Sequence, residues 1–201
     1  MIRIGLTGSI GMGKSAVSAM FRQLGVPVFD ADAEVHRLQG PNGALVSLIE
    51  ARFPGSTGPK GVDRTKLGPM VLGKAAELKA LERIIHPAVA KSRHAFLRRH
   101  RAQATVVLDI PLLFEKAKPL HPVKAADRII VVSAPAWMQA KRVLRRPGMT
   151  RAKLKQIRKL QVPDHIKRAK ADVVIDTGCL RIETYRAVCR LVTCIKAAKR
   201  R

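Results

Sequence analysis

Gly8-Ser9-Ile10-Gly11-Met12-Gly13-Lys14-Ser15 is the stretch from which the rest of the chain is read. Its spacing is G-x-x-x-x-G-K-S, a phosphate-binding loop pattern. Before it, Ile2, Ile4 and Leu6 form a short apolar run that predicts a buried strand; after it, Val17, Met20, Phe21 and Leu24 recur at the spacing of one helix face. A strand, this loop and a helix are the setting the pattern needs. Glycines let the backbone curl so that several N–H groups converge on anionic oxygens. The following helix adds the partial positive charge of its N-terminus. Lys14 then reaches the terminal phosphates of a nucleotide, and the Ser15 hydroxyl is placed to ligate Mg²⁺. A glycine-rich turn before an ordinary helix is the plainer alternative, which the combination of spacing and context disfavours.

Four more apolar runs predict strands, at residues 26–29, 105–108, 128–132 and 173–175. Helical segments alternate with them, which argues for a parallel sheet covered on both faces. Ligands bind such sheets at the rim where the strands end, so the acidic residues there are candidates. The second strand runs into Asp30-Ala31-Asp32. Asp32 is either a general base or holder of a metal-bound water, or else a helix N-cap; the residues alone leave these even. Asp109 ends the third strand and is placed to act on magnesium through water. Leu112, Leu113 and Phe114 follow it as the floor of an acceptor pocket or as ordinary core.

From Pro41 to Arg101 the pattern is helical, with Leu45, Leu48 and Ile49 on one face and a Gly/Pro-rich exposed loop over 53–63. A helix carrying Leu78, Leu81, Ile84 and Ile85 is expected to stop at His86-Pro87, because a residue before proline is pushed out of helical geometry. This block reads as a helical insertion, where a second substrate binds in such folds; His86 is a contact there or a structural helix end. Later, Lys141, Arg142, Arg145 and Arg146 precede a Pro147-Gly148 turn, and Thr150 caps a further basic helix. Arginines carried over the phosphates by such a lid would stabilise migrating charge; a solvated basic hairpin is the alternative.

The 201 residues contain 39 Lys and Arg against 14 Asp and Glu, a net charge of +25. That surplus can give nonspecific, salt-sensitive affinity for polyanions, but 3% aromatic residues leave few platforms for unpaired bases. A solvated basic surface is therefore favoured over a nucleic-acid-binding one. Three cysteines without a C-x-x-C pair argue against a disulfide framework or zinc site. No apolar stretch is long enough for a membrane span, the glycines come too early for a signal peptide, and a cytoplasmic location is expected.

The chain resembles the bacterial dephospho-coenzyme A kinase family along nearly its whole length. The matching pieces are Leu6-Thr7-Gly8 through Ser15, Asp30-Ala31-Asp32, Ile85-His86-Pro87, and Leu108-Asp109-Ile110-Pro111-Leu112-Leu113-Phe114-Glu115. Arg142, Arg146-Pro147-Gly148-Met149-Thr150, Gln161 and Ala171 through Gly178 continue the match. The resemblance implies a P-loop NTPase-type three-layer α/β/α fold with a five-stranded parallel sheet, a helical substrate domain and a lid. Its implied division is a nucleotide-binding core at 1–31, 102–134 and 171–201, a helical CoA domain at 32–101 and a lid at 135–170. It implies transfer of the ATP γ-phosphoryl group to the ribose 3′-hydroxyl of dephospho-CoA, with Mg²⁺. Position by position, Ile10, Gly11, Met12, Gly13, Lys14 and Ser15 hold ATP, and Asp32 resembles the base, which tips its even reading toward catalysis. His86, Leu112, Leu113 and Phe114 resemble substrate contacts; Arg142, counted with Asp32 and Lys14 as catalytic, and Arg146 resemble lid arginines. Met12 departs from the family pattern and is expected to narrow the loop crest; Thr177 departs from its usual Asp-Asn pair. A kinase for another nucleoside or nucleotide, or a basic nucleic-acid-associated ATPase, is the alternative function.

Overall fold

The computed structural model describes residues 1–115 and 126–198. In chain order the elements are β1 (Ile2–Thr7), α1 (Lys14–Gln23), β2 (Val28–Asp30), α2 (Ala31–Gln39), α3 (Val46–Arg52), β3 (Thr57–Gly58), β4 (Gly61–Val62) and α4 (Arg64–Val71). They continue with α5 (Ala75–Arg99), β5 (Thr105–Asp109), β6 (Arg128–Ser133), α6 (Ala136–Leu144), α7 (Arg151–Leu160), α8 (Asp164–Ala169), β7 (Val173–Asp176) and α9 (Arg181–Ala198). The chain divides into two compact units, Met1–Phe29 with His100–Arg201, and Asp30–Arg99.

The first unit is built on a five-stranded parallel sheet in the order β2-β5-β1-β6-β7. Its registers pair Leu6 with Asp109, Thr7 with Val131, and Ser133 with Asp176. Thr7, Asp109, Ser133 and Asp176 therefore end their strands along one edge of the sheet. Alternation along the strands fills both faces. Ile4, Leu6, Ile130, Val132 and Ile175 pack with Val17, Met20 and Phe21 of α1 and Val188 and Val192 of α9. The intervening Ile129 and Val131 pack with Leu113, against Ile110, Phe114 and Ala171.

The second unit is helical, with a core of Leu38, Leu45, Ile49, Phe53, Leu67, Val71 and Leu81. Three expectations change here. The helix does not stop at His86-Pro87: α5 runs through both, with Leu81, Ile84 and Ile85 before the proline and Ala88 and Val89 after it packed on the core. His86 and Pro87 are exposed, so the carbonyl that loses its partner at the proline is on the solvent side, where water can take it. The stretch 53–63 is not wholly an exposed loop: it buries Phe53 and Ser56 and closes the β3–β4 ribbon. Glu50 anchors this turn by accepting from the Gly55 N–H and from the Thr57 N–H and hydroxyl. Those bonds, the Gly55 N–H foremost, hold its carboxyl below the ordinary range. Leu48, expected on the apolar face of α3, is 54% exposed.

Candidate active site

The loop between β1 and α1 is formed as the sequence requires. Gly11 and Gly13 have φ of +75° and +87°, a region that costs L side chains dearly. Space forbids a side chain as well: a Cβ on Gly11 would lie 2.5 Å from Val143 Cγ2, and one on Gly13 would lie 2.9 Å from Thr177 Oγ1.

Three successive carbonyls of the loop are held from outside. The Ile10 carbonyl accepts from Gln139 Nε2 at 2.8 Å, the Gly11 carbonyl from Arg142 Nη1 at 3.5 Å, and the Met12 carbonyl from the Thr177 hydroxyl at 2.7 Å. Gln139, Arg142 and Val143 lie at i, i+3 and i+4 on α6, so one face of that helix forms the outer wall of the loop. Arg142 is tied further to Thr177, through its hydroxyl at 3.0 Å and its carbonyl at 2.7 Å. The Met12 N–H closes a turn onto the Ser9 carbonyl, and the Ile10 N–H donates to Gln161 Oε1 at 3.1 Å. Among the described residues no hydrogen bond uses the N–H groups of Gly11, Gly13, Lys14 or Ser15. These are the donors a phosphate group needs.

Met12 does not narrow the crest. Its side chain is 4% exposed and turned into the protein, where the sulfur accepts the Ala134 N–H at 3.2 Å. The Lys14 ammonium is paired with the buried Asp109 carboxylate at the end of β5. Ser15 is exposed in the first turn of α1. A cavity of about 630 Å³ opens beside the loop, lined by Ser9, Met12, Gln139, Arg158, Gln161 and Asp176 among others.

The remaining predicted residues fall into distinct settings. Asp32 is exposed in the first turn of α2, and the cap of that helix is Asp30, whose carboxylate accepts the Ala33 N–H at 3.0 Å. The capping role that competed for Asp32 is thus taken by its neighbour. Arg146 is exposed just beyond α6, before the turn at Gly148. Leu113 is fully buried core, Phe114 packs against it, and Leu112 is 42% exposed. Gln139, Gln161 and Thr177, which bond to the loop, and Arg158, which holds Gln139, were not assigned that role from the sequence. Gln139 carried a signal, since it shares a helix face with Arg142; nothing local marked the others.

A parallel α/β sheet, a glycine-bent loop of free amides at the end of its first strand, and a lysine–carboxylate pair beside that loop define a P-loop phosphotransferase. The dephospho-CoA kinase family model matches residues 2–180. Dephospho-CoA kinase of Novosphingobium aromaticivorans is 58% identical over 193 residues, covering 96% of this chain and 94% of that one. Among solved structures, TT1252 from Thermus thermophilus superposes with a TM-score of 0.83 at 32% identity, over 96% of each chain. Dephospho-CoA kinase from Campylobacter jejuni shares the fold, with a TM-score of 0.62 at 22% identity and 96% of each chain covered. The chain belongs to the dephospho-CoA kinase family.

Proposed function

We propose that the protein transfers the γ-phosphoryl group of ATP to the ribose 3′-hydroxyl of dephospho-CoA, giving ADP and coenzyme A in the cytoplasm. The observation that carries this reading is the formed phosphate loop with its cation, Lys14, set against Asp109 in a chain of this family. Such a transfer needs no covalent intermediate; placement and electrostatics do the work. The unused N–H groups of Gly11, Gly13, Lys14 and Ser15 cradle phosphate oxygens, and Lys14 exchanges its carboxylate partner for the terminal phosphates. Arg142 and Arg146 add positive charge on the α6 side of the loop.

Ser15 and Asp109 are hard oxygen donors, and among the described residues no cluster of three or more His, Cys, Asp or Glu could cage a metal alone. That donor set fits Mg²⁺, which takes its other oxygens from phosphate and water; Ser15 would hold it directly and Asp109 through water. When bound, Mg²⁺ neutralises charge on the β- and γ-oxygens. Asp32 takes the proton of the acceptor hydroxyl, a role supported by its free exposure and by the cap being Asp30. His86, Leu112 and Phe114 are proposed acceptor contacts, Phe114 being backed by the buried Leu113. In this reading Asp30–Arg99 carries the acceptor and residues 135–170 form the lid.

ADP release measured with dephospho-CoA, with simple nucleosides and with nucleoside monophosphates tests the substrate. Turnover confined to dephospho-CoA is expected; preference for another acceptor makes the protein a different nucleotide kinase. ATP hydrolysis stimulated by DNA or RNA, with a steep salt slope, would replace the reading altogether.

A further inference from the structure

The hydrogen bonds of α6 carry an assignment that the reaction alone does not. In a trans peptide the carbonyl oxygen and the next residue's N–H point in opposite directions. Whatever holds the Ile10 carbonyl outward therefore aims the Gly11 N–H inward. Gln139 is that group: it is 4% exposed, and its Nε2 donates to the Ile10 carbonyl at 2.8 Å. Its amide orientation is fixed from the other end. Arg158 of α7 donates to Gln139 Oε1 through Nε at 2.9 Å and through Nη2, and its Nη2 also reaches the Ala136 carbonyl at 3.2 Å. A guanidinium on the oxygen leaves only the NH₂ end to face Ile10. The stem of Gln139 also backs the loop, since a Cβ on Gly11 would lie 3.3 Å from Gln139 Cγ.

We propose that Gln139 is a positioning residue for nucleotide binding: held in one orientation by Arg158, it turns the Ile10–Gly11 peptide so that the Gly11 amide faces the phosphates. The proposal deepens the kinase reading and rests on the loop being its nucleotide site. A role confined to joining α6 and α7 is the alternative, and two substitutions separate them. Gln139→Glu keeps the shape and pairs its carboxylate with Arg158, but offers the Ile10 carbonyl an acceptor in place of a donor. Gln139→Leu removes the bond to Ile10 and both bonds from Arg158.

The experiment is calorimetric titration of each variant with Mg-ATP, together with its melting temperature and its KM for dephospho-CoA. ATP binding by the unsubstituted chain tests the nucleotide-site reading by itself, whatever the acceptor. Positioning predicts that Gln139→Glu melts close to the unsubstituted chain yet binds ATP about tenfold more weakly, as loss of a buried hydrogen bond allows. Gln139→Leu should bind at least as weakly, and KM for dephospho-CoA should not move in the glutamate variant. ATP affinity of Gln139→Glu within twofold of the unsubstituted chain would overturn the proposal. So would a Gln139→Glu chain that fails to fold, since the residue would then serve the fold and not the peptide.

Discussion

The Lys14 ammonium closes an ion pair with the Asp109 carboxylate, a side chain only 2% exposed at the end of β5. The pair makes the loop neutral where phosphate charge is to be received, and it competes with phosphate for Lys14. Asp109→Asn should release the lysine, so binding of ATP without Mg²⁺ should hold or tighten. Turnover should fall about 10- to 100-fold, the usual loss when an outer partner of a metal site is removed. Parallel ATP titrations with and without Mg²⁺, with steady-state rates, check both halves.

Asp32 stands free of the cap that its neighbour Asp30 provides to α2. Asp32→Asn should lower turnover by about 10²–10⁴, the range for a general base, and leave ATP affinity as it was. Unchanged turnover would remove Asp32 from the mechanism.

Gly11 and Gly148 both have positive φ, but a Cβ at Gly11 meets Val143 at 2.5 Å, and at Gly148 it meets nothing within 4 Å. Gly148→Ala should cost only backbone strain, about 1 kcal/mol. Gly11→Ala adds overpacking and should cost about 2–4 kcal/mol along with ATP binding. Urea unfolding of the two variants compares them on one scale.

Lys167 is fully buried on α8, with its ammonium 2.5 Å from Glu115 Oε1. The alignment is poor for hydrogen bonding, and neither Lys167 Nζ nor Glu115 Oε2 has a hydrogen-bond partner among the described residues. Glu115 Oε1 also accepts the Val162 N–H at 3.3 Å, next to Gln161. Lys167→Met alone leaves a buried carboxylate unpaired and should cost about 3–5 kcal/mol. Adding Glu115→Gln removes that charge and keeps an acceptor for Val162, so the double variant should regain most of the loss in denaturant melts.

Arg3 and Asp127 join the starts of β1 and β6 through the Arg3 N–H at 2.8 Å, Nε at 3.1 Å and Nη2 at 2.5 Å. Hydrogen bonding from the Arg3 side chain, opposed by desolvation, holds the Asp127 carboxyl below the ordinary range. The native pKa is the lower one, so the pair stabilises fully above the unfolded pKa of about 4 and is lost as pH falls through the native value. Both side chains are more than a third exposed, so screening limits the contribution to about 1 kcal/mol or less. Arg3→Met should lower the melting temperature at pH 7, and the difference from the parent should shrink as the pH falls below the unfolded pKa of about 4.

The sheet and loop were legible because each rests on local chemistry: alternating apolar residues in β1, continuous apolar runs in β5 and β6, and glycines whose φ only glycine adopts readily. Asp30 and Asp32 could not be separated in sequence, because a cap is decided by where a helix begins, within a residue or two. His86-Pro87 read as a stop because the proline rule is local, whereas burial of Ile84, Ile85, Ala88 and Val89 on either side carries α5 through it. The outer grip on the loop was the least legible. Gln139 and Thr177 lie 129 and 165 residues from the carbonyls they hold, and no pattern within one segment records such a contact.

The most direct test incubates the protein with Mg-ATP and dephospho-CoA and fixes the position of the added phosphoryl group by tandem mass spectrometry, with Lys14→Ala alongside. One phosphoryl group on the ribose 3′-oxygen, with equimolar ADP and none of either from Lys14→Ala, is the expected result. Dephospho-CoA recovered unchanged while ATP is consumed, or a product formed equally well by Lys14→Ala, would contradict it.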